Sequence, residues 1–329
     1  MKKIGLIFWW MSNEAEVSIS SAKNIIENFD YNRYELIKIF RSKNNKFYKI
    51  NKIEDTENLM DEQEIHTKDF KSFIDIIFPI THGKFWEDGI LQSILELEKL
   101  PYCGCRVLSS SLCMNKAILK RFLNKNWIKQ VKFSIIDYTL DNEEKITNKI
   151  SKIKNNFELP IYIKPSNSWS SIGITKLTDR SKLNFAISEA KKHDDIILIE
   201  QWLEKPQEIE VWILWNWEII CSTPWELVKD YDFYSFNEKY IENRMTIEVP
   251  AKLEEENNHK IKKIAQEIYT LCDCKGFARL DFFIDKWAIY FNEVNTIPGF
   301  TEISAFPVLM KSTWMTYTEI INKIIELAY

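Results

Sequence analysis

The chain has 329 residues, 45% hydrophobic and 28% charged, enough apolar material to bury a large core and to divide into two or three domains. Its net charge of -4, from 44 basic and 48 acidic residues, offers no basic field for nucleic acid, and no stretch reaches the roughly 20 apolar residues of a membrane span. One ratio is inverted: 7 Gly stand against 12 Trp, so glycine is about 2% where soluble proteins average about 7%.

The opening MKKIGLIFWW reads as a first strand; it is too short for a secretory apolar region and lacks a small-residue cleavage site. An amphipathic helix from Val17 to Asn28 and a buried strand from Asp75 to Ile80 complete an open α/β unit over residues 1–100. A second helix follows His82 to Gly89 and is expected to turn Leu91, Leu95 and Leu97 inward. A central unit, 101–185, begins with a short strand and one helix, Ser111 to Asn126. A hairpin follows, made by Pro160 to Lys164 and Gly173 to Leu177. The last unit, 186–329, gives a helix, strands at Ile196 to Glu200 and Glu208 to Leu214, and a long aromatic loop from Asp230 to Arg244. A helix from Glu254 to Leu271, strands Phe277 to Ile284 and Ala288 to Val294, and a final helix Thr316 to Ala328 complete it. The Lys- and Asn-rich stretches 41–52 and 141–156 read as solvated faces or linkers.

Two Cys-x-Cys pairs, Cys103/Cys105 and Cys272/Cys274, lack zinc-ligand spacing and a neighbouring His, so the six cysteines read as reduced thiols of a cytoplasmic protein.

The chemistry concentrates near the C-terminus. Side chains two apart on a strand share a face, so Glu293 and Asn295 project together, and a paired strand brings Asp281 beside them. Two carboxylates and an amide oxygen form a hard-oxygen site for Mg²⁺ completed by substrate phosphates. Arg279, two before Asp281, adds the cation that a transferring phosphoryl group needs. The loop from Lys164 to Gly173 is rich in hydroxyl groups that suit phosphate, although Trp169 stands where close approach calls for glycine. Glu87 and Asp88, ahead of a helix, read as structural.

Motifs in order carry a resemblance. FWWMSNEAEVSISSA, HGKFWEDG, MNK at 114–116, KPSNSWSSIG, EKY at 238–240, GFARLDFF and NEVNTIPGFTEIS are similar, at family spacing, to those of the D-alanine:D-alanine ligases of the ATP-grasp superfamily. The resemblance implies an α/β fold of three domains, with ATP held between the central and C-terminal ones. It implies ATP-dependent joining of two D-alanines through an acyl phosphate for peptidoglycan precursors, with two Mg²⁺ (or Mn²⁺), in a homodimer.

Carried over by motif, Glu14 binds the first D-alanine's ammonium, and Ser170 relays to Tyr240 with His82 orienting them. Lys116, Lys164, Glu200 and Glu208 hold ATP, and Lys239 its phosphates. Asp281, Glu293 and Asn295 hold the metals, Arg279 with the Gly299 backbone forms the oxyanion site, and Ser304 takes the second substrate's carboxylate. Asn115 replaces the family's Asp beside Lys116. Lys239-Tyr240 in the loop favours dipeptide over D-lactate depsipeptide synthesis; another ATP-grasp carboxylate–amine ligase is the neighbouring alternative.

The resemblance also explains the inverted ratio. Trp9, Trp10, Trp86, Trp127, Trp169, Trp212, Trp215, Trp217, Trp225, Trp287 and Trp314 fall where the family has glycine, and Trp202 is the doubtful member. UGA codons rendered as Trp where the organism reads Gly would place them so, and the Ile, Lys and Asn content suits an AT-rich genome. With genuine tryptophan at all these positions, the chain would instead be a degenerate, non-catalytic nucleotide-binding protein.

Overall fold

The computed structural model describes residues 1–9, 15–57, 59–83, 87–167, 173–216, 218–228, 246–301 and 314–328. Strand β1 (Lys2–Trp9) is buried along Ile4 to Trp9, the pattern of a strand covered on both faces. It pairs in parallel with β2 (Tyr34–Arg41) and β5 (Ile76–Pro79). With β3 (Phe47–Ile50) and β4 (Glu64–Ile65) they form a five-stranded sheet ordered β4-β3-β2-β1-β5. Within the stretch 41–52, residues 47–50 are therefore strand rather than linker: Phe47, Tyr48 and Ile50 supply enough buried surface to pair a short strand despite the flanking lysines.

Helix α1 (Ala15–Glu27) packs on β1, and α2 (Ile90–Leu97) buries Leu91 and Leu95. Leu97 is 80% exposed, contrary to expectation, because two residues past Leu95 is more than half a helical turn away from the inner face. The single helix expected over 111–126 is two, α3 (Val107–Met114) and α4 (Lys116–Lys125), broken at Asn115. Asn115 has extended backbone, and its Oδ1 caps α4 by accepting from Ile118 N at 3.0 Å.

The next sheet, ordered β6-β9-β7-β8, contains β6 (Phe133–Asp137), β7 (Ile161–Pro165), β8 (Thr175–Leu177) and β9 (Ile196–Gln201). Helix α5 (Glu143–Asn156) occupies the segment read as solvated, started by the Asn142 cap and anchored by buried Ile153. Helix α6 (Leu183–Lys191) contains the 185/186 position, and β9 beyond it pairs with both β6 and β7.

The largest sheet joins β10 (Gln207–Asn216), β12 (Trp225–Val228), β13 (Thr246–Glu248), β14 (Phe277–Asp285) and β15 (Ala288–Asn295), with β11 (Glu218–Cys221) on β10. Helix α7 (Glu255–Leu271) buries Ile261, Ala265 and Ile268 against it. The last helix, α8 (Tyr317–Glu326), starts with a Thr316/Glu319 capping box and returns to the first unit, where Asn322 Nδ2 donates to Asp30 Oδ2 at 2.9 Å. Its Ile320, Ile321, Ile324 and Ile325 share one core with Ile4, Leu6 and Phe8.

All six cysteines are free. Four of them converge: Cys105 hydrogen-bonds to Cys274, and Cys113 to Cys272 and Cys274. Their two loops meet where a Cβ on Gly276 would lie 2.9 Å from the Gly104 backbone, so glycine is required for the approach. Among the described residues no group of three or more His, Cys, Asp or Glu side chains forms a metal cage.

Candidate active site

One face of the largest sheet carries the charges. On β10 the odd residues Ile209, Val211 and Ile213 enter the core with Leu280 and Phe282, leaving Glu208, Glu210 and Trp212 on the opposite face. In register, Glu210 stands opposite Asp281, Asp281 opposite Glu293, and Arg279 opposite Asn295. Alternation along β15 slips once: Phe282 pairs with Phe291, so Asn292 is an extra, unpaired residue. That bulge lets Phe291 and Val294 both enter the core while Glu293 and Asn295 face the site.

The expected cluster of Arg279, Asp281, Glu293 and Asn295 is thus assembled. Arg279 donates to Asp281 through Nε and Nη2, both at 2.8 Å, and Nε lies 2.8 Å from Glu210 Oε2. Burial alone would lower the guanidinium's pKa, but Asp281 and Glu210 hold it well above its ordinary value. Asn295 Nδ2 donates to Asp281 Oδ2 at 3.0 Å, which leaves the amide oxygen as a ligand beside two carboxylates. This donor set fits Mg²⁺, with the remaining positions left to phosphate and water. Glu210 was missed from the sequence, although its two-residue spacing from Glu208 on the same strand was the available signal.

Lys116, at the start of α4, reaches within 3.7 Å of Glu293 Oε2. Burial lowers its pKa, and the neighbouring Lys164 charge adds to this. Ser166, just past β7, accepts from Ala117 N at 2.9 Å and donates to Asn115 Oδ1 at 2.8 Å. The Asn in place of the family's Asp therefore still caps the helix and ties it to the end of β7. Lys164 pairs with Glu200 Oε2, and Lys120, not singled out from sequence, lies 2.6 Å from Glu200 Oε1. Burial would raise Glu200, but the two lysines pull it down to about 2. Glu208 is partly buried on the site face, opposite Phe283.

The first unit supplies the brace. His82 Nδ1 lies 2.8 Å from the Ile297 carbonyl, and Glu87 accepts from Ile297 N at 2.7 Å and Gly83 N at 3.1 Å. Burial pushes the His82 pKa down to about 4, so the ring is neutral and Nδ1 is the donor. Phe300, next to Gly299, is held by Ser21 Oγ and Asn24 Nδ2 at 3.0 and 2.9 Å, and by Phe78, Trp212 and Phe277 rings. Gly299 thereby precedes an anchored residue in a partly buried segment just past β15. Glu14, Ser170, Lys239, Tyr240 and Ser304 lie outside the described residues, as does the 230–244 loop.

Two family models cover nearly the whole chain, "D-ala D-ala ligase N-terminus" over residues 3–105 and "D-ala D-ala ligase C-terminus" over 122–326. The chain belongs to the D-alanine–D-alanine ligase family. A D-alanine–D-alanine ligase of Caldicellulosiruptor bescii is 40% identical over 99% of this chain and 94% of its own length. One from Clostridium acetobutylicum is 39% identical, covering 99% and 98%. Among solved structures, the VanG D-Ala:D-Ser ligase of Enterococcus faecalis superposes with a TM-score of 0.86 at 31% identity over 99% of both chains. The Coxiella burnetii D-alanine–D-alanine ligase gives 0.83 at 26%, over 99% of this chain and 95% of that one. The fold is accordingly the α/β ATP-grasp fold of this ligase family.

The described tryptophans differ in their surroundings. Trp127 and Trp314 have left-handed backbone, φ 64° and 59°, and each is 94% exposed. At Trp127 the α4 terminus closes with Trp127 N to Asn124 O and Ile128 N to Leu123 O, the paired bonds of a Schellman cap, whose central residue is ordinarily glycine. Trp9, Trp212 and Trp225, by contrast, are buried at 2–3% exposure. Trp202 packs against Tyr162 with ring centroids 5.0 Å apart and lies under the Lys176 ammonium, contacts suited to a genuine tryptophan.

Proposed function

We infer that this protein joins two D-alanines at the expense of ATP, using Mg²⁺ held by Asp281, Glu293 and Asn295. The observation that carries the reading is the strand face on which Glu210, Arg279, Asp281, Glu293 and Asn295 meet, in a chain of this family. The metal, when bound, neutralises charge on the phosphates. A carboxylate oxygen of the first D-alanine attacks the γ-phosphorus as the bond to ADP breaks, giving an acyl phosphate. The second amine then attacks the acyl carbon, loses a proton, and phosphate leaves. Lys116 and Lys164 are assigned to the phosphates, Glu200 and Glu208 to the nucleoside, and Arg279 with the Gly299 N–H to the developing oxyanion. Glu14, Ser170, Tyr240, Lys239 and Ser304 keep the substrate and phosphate roles that the family pattern implies.

We place three domains on the chain, 1–100, 101–201 and 202–329, with the second boundary moved from the expected 185/186 to the end of β9 because that strand pairs within the central sheet. A cytoplasmic homodimer belongs to the same proposal. Ile90 and Leu97, seven apart on one side of α2 and 45% and 80% exposed, offer it apolar surface.

The reading includes glycine at the tryptophans of the turns. Exposed indoles at φ near +60° gain nothing from burial and carry backbone strain of about 1–3 kcal/mol each. With glycine at every tryptophan but Trp202 the count would be 18 of 329 residues, about 5% and near the ordinary share. Peptide masses of the native protein decide it: glycine is expected at 127 and 314, and tryptophan there would overturn the reading. Phosphate release from ATP with D-alanine, D-serine or D-lactate is then measured on the chain as written and on its glycine form. D-alanine is expected to drive turnover in the glycine form, and phosphate release independent of any added amino acid in both would reject the ligase reading.

A further inference from the structure

Among the described residues Lys120 is the most deeply buried cation near the site, its side chain 1% exposed, and no motif of the sequence pointed to it. It projects from α4 one turn after Lys116, with its ammonium 5.9 Å from the Phe133 ring centroid and 6.0 Å from that of Phe291. Lysine is almost never buried to this degree unless paired. Its partner is Glu200, at 2.6 Å, and the other oxygen of the same carboxylate carries Lys164. One buried carboxylate thus serves two ammonium groups.

We propose that Lys120 is a positioning residue of the nucleotide site: it is the resident counter-ion of Glu200, and by holding that carboxylate it leaves Lys164 free to give its charge to a phosphate. The proposal rests on the assignment of Lys164 and Glu200 to ATP. Lys120 is enclosed between two aromatic rings and cannot turn to solvent, whereas Lys164 stands at the end of β7, where the hydroxyl-rich loop begins, and is 11% exposed. Without Lys120, Lys164 and Glu200 would form a closed one-to-one pair, and ATP would have to break it, leaving a buried carboxylate without a cation. With Lys120 present, the two lysines and one glutamate carry an excess positive charge that a polyphosphate satisfies. Lys120 itself touches neither substrate nor phosphate.

The test uses Lys120→Met in the form of the enzyme that turns over, with Lys164→Met and Glu200→Gln alongside. For Lys120→Met the KM for ATP is expected to rise about tenfold or more, while the KM for D-alanine and kcat at saturating ATP stay within about twofold. Because Lys120 acts through Glu200, adding Lys120→Met to Glu200→Gln should change ATP binding, read with a fluorescent ATP analogue, by less than about twofold. That double variant removes both charges and keeps the test open if Lys120→Met alone does not fold. An unchanged KM for ATP in folded Lys120→Met, or an equal loss in both backgrounds, overturns the proposal. An unchanged KM for ATP in Lys164→Met would instead overturn the underlying nucleotide assignment.

Discussion

Arg279 grips Asp281 along two parallel lines, Nε to Oδ1 and Nη2 to Oδ2, each 2.8 Å long, from two positions away on one strand. The same Nε stands 2.8 Å from Glu210, so a planar, forked cation is locked between two carboxylates. Lysine cannot reproduce the fork. Arg279→Lys is expected to lower kcat/KM by about 10²–10³ with an unaltered circular dichroism spectrum. Activity within threefold of the parent would remove Arg279 from the reaction.

The metal assignment is read through titration. Asp281→Asn and Glu293→Gln should each raise the Mg²⁺ concentration for half-maximal phosphate release by at least about tenfold. A curve superimposable on the parent's would free these side chains from that role.

His82 gives the fold a dependence on acid. Its pKa is about 4 when folded and 6.5 in the reference state, so between these values the unfolded chain binds the extra proton. The stabilisation is complete above pH 6.5 and is lost as the pH falls toward 4, a span worth about 3 kcal/mol. Glu200, depressed to about 2, adds a second loss below pH 4.5. Melting temperatures should therefore decline from pH 7 to 4, and His82→Gln should flatten the upper part of that decline. The same slope in both proteins would place the titration elsewhere.

Opposite signs are expected at two tryptophans. Trp127→Gly relieves a left-handed residue whose indole is in solvent, and should stabilise the chain by about 1 kcal/mol. Trp225→Gly empties a buried site and should cost about 3–5 kcal/mol in the protein as written. Chemical denaturation measures both, and a loss at Trp127 would contradict the cap geometry.

The strands with uninterrupted apolar runs, β1, β5 and β9, are legible in the sequence because hydrophobic pattern decides them. Helix α5 and strand β3 are not, because their lysines and asparagines outweigh the few residues that bury, Ile153 in one and Phe47, Tyr48 and Ile50 in the other. The break at Asn115 was hidden by an apolar pattern that continues through it; only the capping bond shows where one helix stops. In the site, Arg279, Asp281, Glu293 and Asn295 could be read from strand periodicity and the family motifs. Lys120 could not, since a lysine on an amphipathic helix reads as solvent-facing until the partner across the sheet is known. Glu210, two residues from Glu208 on the same strand, was within reach of that strand periodicity.

The bulge at Asn292 puts two functions of one strand out of step. Before it, odd-numbered residues of β15 belong to the interior; after it, they belong to the reaction. Asn292 is therefore a surplus residue, standing in the strand with no partner across the ladder. Deleting it would leave Phe291 opposite Phe282 and Glu293 opposite Asp281 in regular alternation, so each set would keep its face. What such a deletion takes out is the local bend and twist of the bulge, and metal binding by that variant reads how far the site depends on it.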